Sequence, residues 1–508
     1  MPLRDWPKKF GRRFGKRAND AVASPVRFSI VLPLYNSPLE HLKTQLESIS
    51  AQSHKSWECI VVDDGSADTR GVELAEQMST SDPRFIVRRR LVNGGIAAAT
   101  NDGLDRATGD WIVFCDHDDV LYPHALETVA AHIATHPEDD FIYSDEELID
   151  EDGALIHQHN KPDFSPERFL ANNYLCHLVS VRHSLVDNVG RLVTEYEPSA
   201  DRDFNMRAAS EARHVGHIPQ ILYGWRAIRG SVAKAITEKP NVAESVLVTA
   251  QAHLDRLGES GTASILPGGE AMVCITWPTV DDDVERITLD ESTTASEINQ
   301  IFENSSARFV VLWPASVDLA DADWLSALTA QCARLNVGAA GPLLATTDNR
   351  LISAGRVHHP SAHDLFQGIN ADNHGPWGAF LVSREVASVS PLGAVFDRRA
   401  VLDVGGFDID ALVARAAPGP MGNIYSVAAD YSGSADALVD ITTSILCTAL
   451  RLARHSTVWT PQSKLMLPPS SLLSDAQLEE RVALHKMVAD VFPRADEDPY
   501  SPIGVHRI

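Results

Sequence analysis

Three aspartates and one histidine directly follow a short run of apolar residues. The run Trp111-Ile112-Val113-Phe114-Cys115 suits a buried strand, and Asp116-His117-Asp118-Asp119 come straight after it. In an open α/β sheet, such a strand end lies at the edge where ligands bind. Adjacent carboxylates repel one another unless a cation holds them, and oxygen ligands suit Mg²⁺ or Mn²⁺. The pattern predicts a divalent metal site that grips a nucleotide diphosphate; the alternative is a solvated turn.

The elements that position these acids alternate between strand and helix. Phe28–Leu32 and Cys59–Val62 are β-rich runs, and between them apolar residues recur at helical spacing at Leu39, Leu42, Leu46 and Ile49. Strands that alternate with helices predict an α/β domain with a doubly wound, mostly parallel sheet. The acids Asp63-Asp64 also end a strand, so they share the carboxyl edge of that sheet with the first group.

Several short motifs occur in a fixed order along the first half. They are Pro33-Leu34-Tyr35-Asn36, Val62-Asp63-Asp64-Gly65-Ser66, Asn93-Gly94-Gly95-Ile96, Asp116-His117-Asp118-Asp119, Tyr143-Ser144-Asp145, Asn173-Tyr174 and Ser199-Ala200-Asp201-Arg202-Asp203. Together they resemble the family 2 glycosyltransferases, inverting enzymes with the GT-A fold for nucleotide-diphospho-sugars. The resemblance covers about residues 27–233 and is typical of bacterial enzymes that build O-antigen, capsule or other surface polysaccharide.

The resemblance implies a role for each matching position in the donor site. Pro33 and Tyr35 line the base pocket, and Asp64 accepts a hydrogen bond from the nucleobase, as a carboxylate can from the imide of uracil or thymine. Asp116 meets the ribose and, with Asp118, the metal that bridges the diphosphate. The expected cofactor is Mg²⁺ or Mn²⁺, and the expected donor is a nucleoside-diphosphate sugar of the UDP or dTDP type.

The acceptor side follows from the same resemblance. Asp201 matches the family's catalytic base, at the start of a helix, whereas Asp203 is better explained as part of an ordinary helix N-terminus. Asp145 is expected near the donor sugar or the acceptor, as are Trp225 and Arg226. The sequence departs from the family at Gly224, where relatives commonly carry a histidine that reaches the metal or diphosphate.

The second half resembles a degenerate copy of the same family. Phe309-Val310-Val311-Leu312-Trp313 corresponds to the strand before the acids, but Pro314-Ala315-Ser316 follows it, and Ile441-Thr442-Thr443-Ser444 stands in the base region. Such a domain cannot run metal-assisted transfer by the same mechanism. The predicted organisation is a basic tail at 1–24, a catalytic GT-A domain at 25–257, a linker at 258–269, a degenerate GT-A-like α/β domain at 270–470, and a terminal helix and tail at 471–508.

Charge and composition limit the partners. A formal charge of −25 argues against general nucleic-acid binding. Residues 1–20 are an exception, since basic side chains there accompany aromatic residues at helical spacing, Trp6, Phe10 and Phe14. That pattern suits an anionic membrane surface, and a disordered basic tail explains it equally well. The 6 scattered cysteines form no Cys-x-x-Cys pair, and no apolar run is long enough to span a bilayer.

The sequence therefore predicts a cytoplasmic glycosyltransferase, peripheral at the inner face of the plasma membrane if the tail binds lipid. Its predicted acceptor is a glycan or a lipid-linked glycan. A rival hypothesis is an inactive pseudo-glycosyltransferase that binds glycan or acts as an assembly scaffold, and a protein or small-molecule acceptor is a third. Retention of Asp64, Asp116, Asp118 and Asp201 together favours the enzyme. The sequence does not decide whether the protein forms a homo-oligomer.

Overall fold

Two β-sheets, one in each half of the chain, organise the molecule. The computed structural model describes residues 26–227, 240–268, 271–281, 283–317, 323–358, 363–364, 366–416, 431, 433–491 and 500. The basic segment predicted to bind membrane, residues 1–20, lies outside the described residues. Among the described residues, no helix combines the length and apolar composition needed to cross a membrane.

The first sheet has nine strands in the order β3-β2-β1-β4-β8-β6-β9-β5, with β7 paired to β6. The strands are β1 (Phe28–Leu34), β2 (Trp57–Asp63), β3 (Phe85–Arg89), β4 (Trp111–Phe114), β5 (Val120–Leu121), β6 (Phe141–Ile149), β7 (Leu155–His159), β8 (Val179–Arg182) and β9 (Val215–Arg226). β3, β2, β1 and β4 run parallel, β8 is antiparallel to β4 and β6, and β9 is parallel to β6. The α/β class is confirmed, as is the parallel arrangement that brings the ends of β1, β2 and β4 to one edge.

Helices cover both faces of this sheet. They are α1 (Leu39–Ser50), α2 (Arg70–Ser81), α3 (Ile96–Leu104), α4 (Ala125–Thr135), α5 (Pro166–Ala171), α6 (His183–Val189), α7 (Ala200–Glu211) and α8 (Pro240–Leu257). All seven residues of β1 are buried, as expected for a strand with helices on both sides. Ile30 packs into the core cluster on the α1 side and Val31 into the cluster on the α7 side.

A small hairpin follows α8. Its strands β10 (Thr262–Ile265) and β11 (Val273–Thr276) pair antiparallel. Val273, Ile275 and Trp277 pack into a core cluster of the first half. The segment 258–269, predicted as a linker, therefore contains a strand, and the packed structure of the first half extends to about residue 277.

The second sheet has seven strands in the order β12-β13-β19-β14-β20-β18, with β15 paired to β14. Its strands are β12 (Val284–Leu289), β13 (Phe309–Pro314), β14 (Val337–Thr346), β15 (Leu351–Ser353), β18 (Arg384–Glu385), β19 (Val395–Asp397) and β20 (Ser456–Leu467); β16 (Arg356–Val357) and β17 (His363–Asp364) form a separate pair. The helices are α9 (Ala295–Asn304), α10 (Asp323–Cys332), α11 (Arg398–Val404), α12 (Ile409–Ala416), α13 (Ala435–Leu452) and α14 (Asp475–Val491).

The two sheets share a pattern of strand directions. From β1 to β5 across the first sheet, neighbours are parallel, antiparallel, antiparallel, parallel and antiparallel, and the same series runs from β12 to β18 across the second. In this correspondence β13 matches β4. Among the described residues, the second sheet has no strands beyond β12 to match β2 and β3.

Candidate functional site

The acids after β4 converge with a histidine from a distant part of the chain. Side-chain ligand atoms of Asp116, Asp119 and His177 all lie within 4.8 Å of one another, the one such group of three among the described residues. His177 Nε2 is 3.8 Å from Asp116 Oδ2. Asp118, which the sequence predicted as a metal ligand, is not a member of this group, although its main-chain carbonyl oxygen accepts a hydrogen bond from Arg226.

His177 and Asp119 are the members that the sequence argument missed. The quoted motif Asn173-Tyr174 ends three residues before His177, whose ring stacks on Tyr223 with centroids 4.7 Å apart. His117, by contrast, turns away and contacts the carbonyl oxygen of Pro33 at 3.2 Å. The available signal for His177 was its place just before β8, which pairs with β4 and so returns the chain to the acids.

Hydrogen bonds from β9 and α1 fix the path of residues 116–119, the acid segment. The Tyr223 hydroxyl accepts from the backbone N–H of Asp116 at 3.0 Å and donates to Asp119 Oδ2 at 2.7 Å. Asp119 Oδ1 accepts the backbone N–H of Arg226 at 2.8 Å. From α1, the buried amide of Gln45 donates to the carbonyl oxygen of Asp116. The segment is therefore held in one shape before any ligand arrives.

The electrostatics of the group disfavour three bare charges. Burial, with the nearby Asp118 and Asp201 carboxylates, raises the pKa of Asp116 to about 7. Burial also raises the pKa of Asp119 well above its ordinary value and lowers the pKa of His177 to about 4. Two carboxylates that resist ionisation alone and a neutral imidazole form a donor set that suits a divalent cation, Mn²⁺ in particular. The residues present therefore fit the expected metal.

Asp201 lies close to the same group. It lies in the first turn of α7, is exposed to solvent, and is close enough to raise the pKa of Asp116. Desolvation by the surrounding protein raises the pKa of Asp201 itself, and a hydrogen bond from the Asn173 side chain partly offsets that rise. Its neighbour Asp203 is fully buried and pairs with Arg207 and Arg256. Of the two acids, only Asp201 is placed to meet a substrate.

The residues predicted for the base pocket lie at the ends of β1 and β2. Tyr35 is 46% exposed, whereas Pro33 is buried inside β1. Asp64 is 2% exposed, and its carboxylate oxygens accept the backbone N–H groups of Gly94 and Gly95 at 2.9 and 2.8 Å. These bonds shape the loop before α3. A contact with a nucleobase is not among them and stays a prediction.

Asp145 and Arg226 are tied into the protein rather than open to substrate. Asp145 is 2% exposed and accepts from His217 Nε2 at 3.0 Å and the Lys161 backbone N–H at 2.9 Å. The Arg226 guanidinium donates to the main-chain carbonyl oxygens of Asp118, Asp150 and Glu151. Of these bonds, the one from Arg226 to Asp118 holds the acid segment. Substrate contacts of Asp145 and Arg226 stay predictions.

Trp225 and Gly224 lie beside the group. The Trp225 ring meets the His177 ring edge-on, with centroids 5.8 Å apart. A Cβ added at Gly224 would lie 3.0 Å from the Tyr122 hydroxyl and 3.2 Å from Ile149 Cδ1. The family's histidine would therefore crowd its neighbours at position 224, and the imidazole of this site comes from His177 instead.

Comparisons with known proteins place part of the first half in a protein family. Residues 29–185 match the model of Glycosyl transferase family 2. The chain contains a family 2 glycosyltransferase domain. An O-antigen biosynthesis protein, RfbC of Myxococcus xanthus, is 29% identical over 264 residues, which are 51% of this chain and 21% of that protein. A PGL/p-HBAD biosynthesis glycosyltransferase of Mycobacterium bovis is 29% identical over 223 residues, 43% of this chain and 83% of its own.

One relative extends into the second half. The Sinorhizobium fredii protein named "Uncharacterized protein y4gI" is 27% identical over an alignment of 533 residues, and the match covers 92% of this chain and 55% of that protein. The chain thus spans about half the length of this curated relative and less of RfbC. Among solved structures, S. aureus TarS 1–349 in complex with UDP overlaps with a TM-score of 0.37 at 23% identity, covering 45% of this chain and 65% of that chain.

Proposed function

We propose that this chain is an inverting glycosyltransferase that moves a sugar from a nucleoside diphosphate onto a glycan or lipid-linked acceptor. The observation that carries the proposal is the convergence of Asp116, Asp119 and His177, all within the residues that match family 2, with Asp201 close to Asp116. A scaffold that only bound glycan would not need a cation-binding group with a further aspartate beside it.

The chemistry follows from these positions. Asp116, Asp119 and His177 would hold a divalent cation, which offsets the charge that builds on the departing diphosphate. The anomeric carbon passes through an oxocarbenium-like state, and inversion requires attack from the face opposite the leaving group. Asp201 takes the proton from the attacking acceptor hydroxyl, and its raised pKa makes it a better base than an ordinary aspartate.

The substrates are proposed at the level of chemical class. The donor is proposed as a pyrimidine nucleotide of the UDP or dTDP type because Asp64 matches the position that binds the nucleobase in the family. The printed names of RfbC and the Mycobacterium bovis enzyme support an acceptor in surface polysaccharide or glycolipid assembly. We place the reaction at the cytoplasmic face of the membrane, where residues 1–20 would bind anionic lipid.

Calorimetric titration of UDP and dTDP, each with and without Mn²⁺, tests the donor site. Wild type is compared with His177→Ala and with a control, Asp118→Ala, which removes a polar side chain from the acid segment itself. We expect Mn²⁺-dependent binding that His177→Ala weakens by about 10- to 100-fold, the usual loss on removing a metal ligand or its support. Asp118→Ala should weaken it less, because Asp118 lies outside the converging group.

The outcomes separate the rival functions. Equal losses in the two variants would return Asp118 to the ligand set predicted from the sequence. Absence of nucleotide binding in wild type, with or without Mn²⁺, would refute the transferase and support the glycan-binding scaffold.

A further inference from the structure

A tryptophan from the second half of the chain packs against the candidate site of the first half. Trp377 stacks on His159 with ring centroids 3.9 Å apart and planes 24° apart. Its carbonyl oxygen accepts a hydrogen bond from the Asn172 side chain at 2.9 Å. Both contacts cross from the second half to the first, and Asn172 lies five positions before His177.

The turn that carries Trp377 is tightly constrained. Trp377 adopts a left-handed conformation, φ 52° and ψ 39°, inside the 3₁₀ turn Pro376–Gly378. A Cβ added at Gly375 would lie 2.6 Å from the Phe380 ring, and one at Gly378 would lie 2.3 Å from Met272 Cε. A bulky residue in this backbone region is costly and persists where the surroundings impose it, which occurs most often at functional sites.

Hydrogen bonds lead from His159 to the metal-binding group. His159 Nδ1 contacts Glu146 Oε1 at 3.0 Å, and Glu146 Oε2 accepts the backbone N–H of His177 at 2.9 Å. The fully buried Lys161 lies 3.5 Å from Glu146 and donates to the carbonyl oxygens of Leu175 and His177. Because these groups are buried, a shift of the His159 ring is transmitted to the backbone that carries the His177 imidazole.

The second contact leads toward the catalytic base. Asn172, which binds the Trp377 carbonyl oxygen, precedes Asn173, whose side chain bonds the Asp201 carboxylate. The one turn at Trp377 therefore supports both the segment that orients His177 and the segment that orients Asp201.

We propose that the second half completes the active site of the first half through Trp377, which acts as a positioning residue for His177 and Asp201. The inference rests on the proposed function and adds a role for the degenerate domain. Residues that hydrogen-bond a metal-ligating histidine typically contribute about 10- to 100-fold to metal affinity. Trp377 acts through His159 and Glu146, so losing its ring should weaken Mn²⁺ binding by up to about 10-fold.

The test measures Mn²⁺ affinity of the full chain from the EPR signal of the free ion. Trp377→Ala removes the stacked ring, and Trp377→Phe keeps an aromatic ring there. The control is Arg334→Ala, which also removes a contact between the halves, the ion pair to Glu167. Arg334 has no bond to His159 or Glu146 among the interactions described. Thermal unfolding of each variant verifies that it is folded.

The proposal expects weaker Mn²⁺ binding in Trp377→Ala, recovery in Trp377→Phe, and no change in Arg334→Ala. Unchanged affinity in Trp377→Ala, beside a wild type that binds Mn²⁺, would overturn the positioning role alone. Equal losses in Trp377→Ala and Arg334→Ala would also overturn it, since general docking of the halves would then explain the effect. A wild type that binds no Mn²⁺ would overturn the proposed function together with this inference.

Discussion

The two halves of this chain have sheets with the same series of strand directions but different residues at the strand ends. After β4 come Asp116, Asp118 and Asp119, whereas after the matching β13 come Ala315 and Ser316. The helix before the last long strand also differs: Asp201 is exposed at the start of α7, and Asp440 is buried within α13. The strand pattern thus persists without the chemistry, so function here depends on a few side chains and not on the fold.

Asp440 is an acid whose observed contacts are buried ion pairs. It pairs with the buried Arg356 at 2.8 Å, and Arg356 also contacts Asp364 at 3.1 Å. These ion pairs raise the pKa of Arg356. Asp440 is therefore held between two arginines, whereas the described residues show no ion pair for Asp201, whose carboxylate is hydrogen-bonded by Asn173. The comparison predicts opposite consequences for the same substitution at the two positions.

The largest expected effect is loss of catalysis in Asp201→Asn. Removal of a general base costs about 10²- to 10⁴-fold in rate. The carboxamide keeps the shape and the hydrogen bond to Asn173, so Mn²⁺ and UDP binding should be retained. Steady-state transfer assays measure the rate, and Glu211→Gln at the exposed far end of α7 serves as control. Full activity in Asp201→Asn would place the base elsewhere.

Asp440→Asn should instead destabilise the second half. Asp440 also pairs with Arg481, and Asp364 would still face Arg356 in the variant. Removal of this one buried partner is therefore expected to cost about 3 kcal/mol, the low end for a buried ion pair. Urea unfolding measures the loss in the free energy of unfolding. Asp436→Asn is the matched control, because Asp436 lies on the same helix and pairs with Arg481 but is 38% exposed; its loss should be under about 1 kcal/mol. Similar losses in both variants would contradict the distinction.

A smaller effect, dependent on pH, is expected where the halves meet. Glu385 on β18 accepts from the Ser165 hydroxyl, and burial together with the Glu167 carboxylate raises the pKa of Glu385 from 4.5 to about 7. The folded protein therefore keeps a proton that the unfolded chain loses. Between pH 4.5 and about 7, the contribution of Glu385 to stability falls as pH rises, by up to about 3 kcal/mol.

Glu385→Gln removes this ionisation. The variant should match wild type near pH 4.5 and become more stable than wild type above pH 7, measured as the difference in free energy of unfolding across that range. The exposed Glu479→Gln controls for loss of a charge. A constant difference between Glu385→Gln and wild type at every pH would show that Glu385 does not take up a proton on folding.

Features of the fold that depend on residues close together in the chain could be predicted from the sequence. The runs Phe28–Leu32 and Cys59–Val62 lie inside β1 and β2, and the acids after β4 do meet at a shared edge. These features follow from local periodicity and from the geometry of parallel strands. The strand at Thr262–Ile265 was missed because Gly and Ser residues before it resemble a linker.

Contacts between distant positions could not be predicted in this way. His177 lies far along the chain from Asp116, and Trp377 lies 218 positions beyond His159 by number, yet each pair is in contact. Asp64 carried the expected motif, but its bonds to Gly94 and Gly95 appear only once two loops are placed together. Burial decided these roles, and one sequence does not reveal which side of a strand end a side chain will take.

In the part of the chain that the structure describes, the second sheet has no counterparts of β2 and β3, and this limits what point substitutions can achieve there. A substitution that returned aspartate to position 315 or 316 could rebuild a carboxylate pair after β13. It could not rebuild the strand ends that, in the first sheet, carry Asp63 and Asp64. Those strand ends would require an insertion that adds whole strands to the edge at β12. Point substitutions alone therefore cannot give the described second sheet the set of strand-end carboxylates that the first sheet carries.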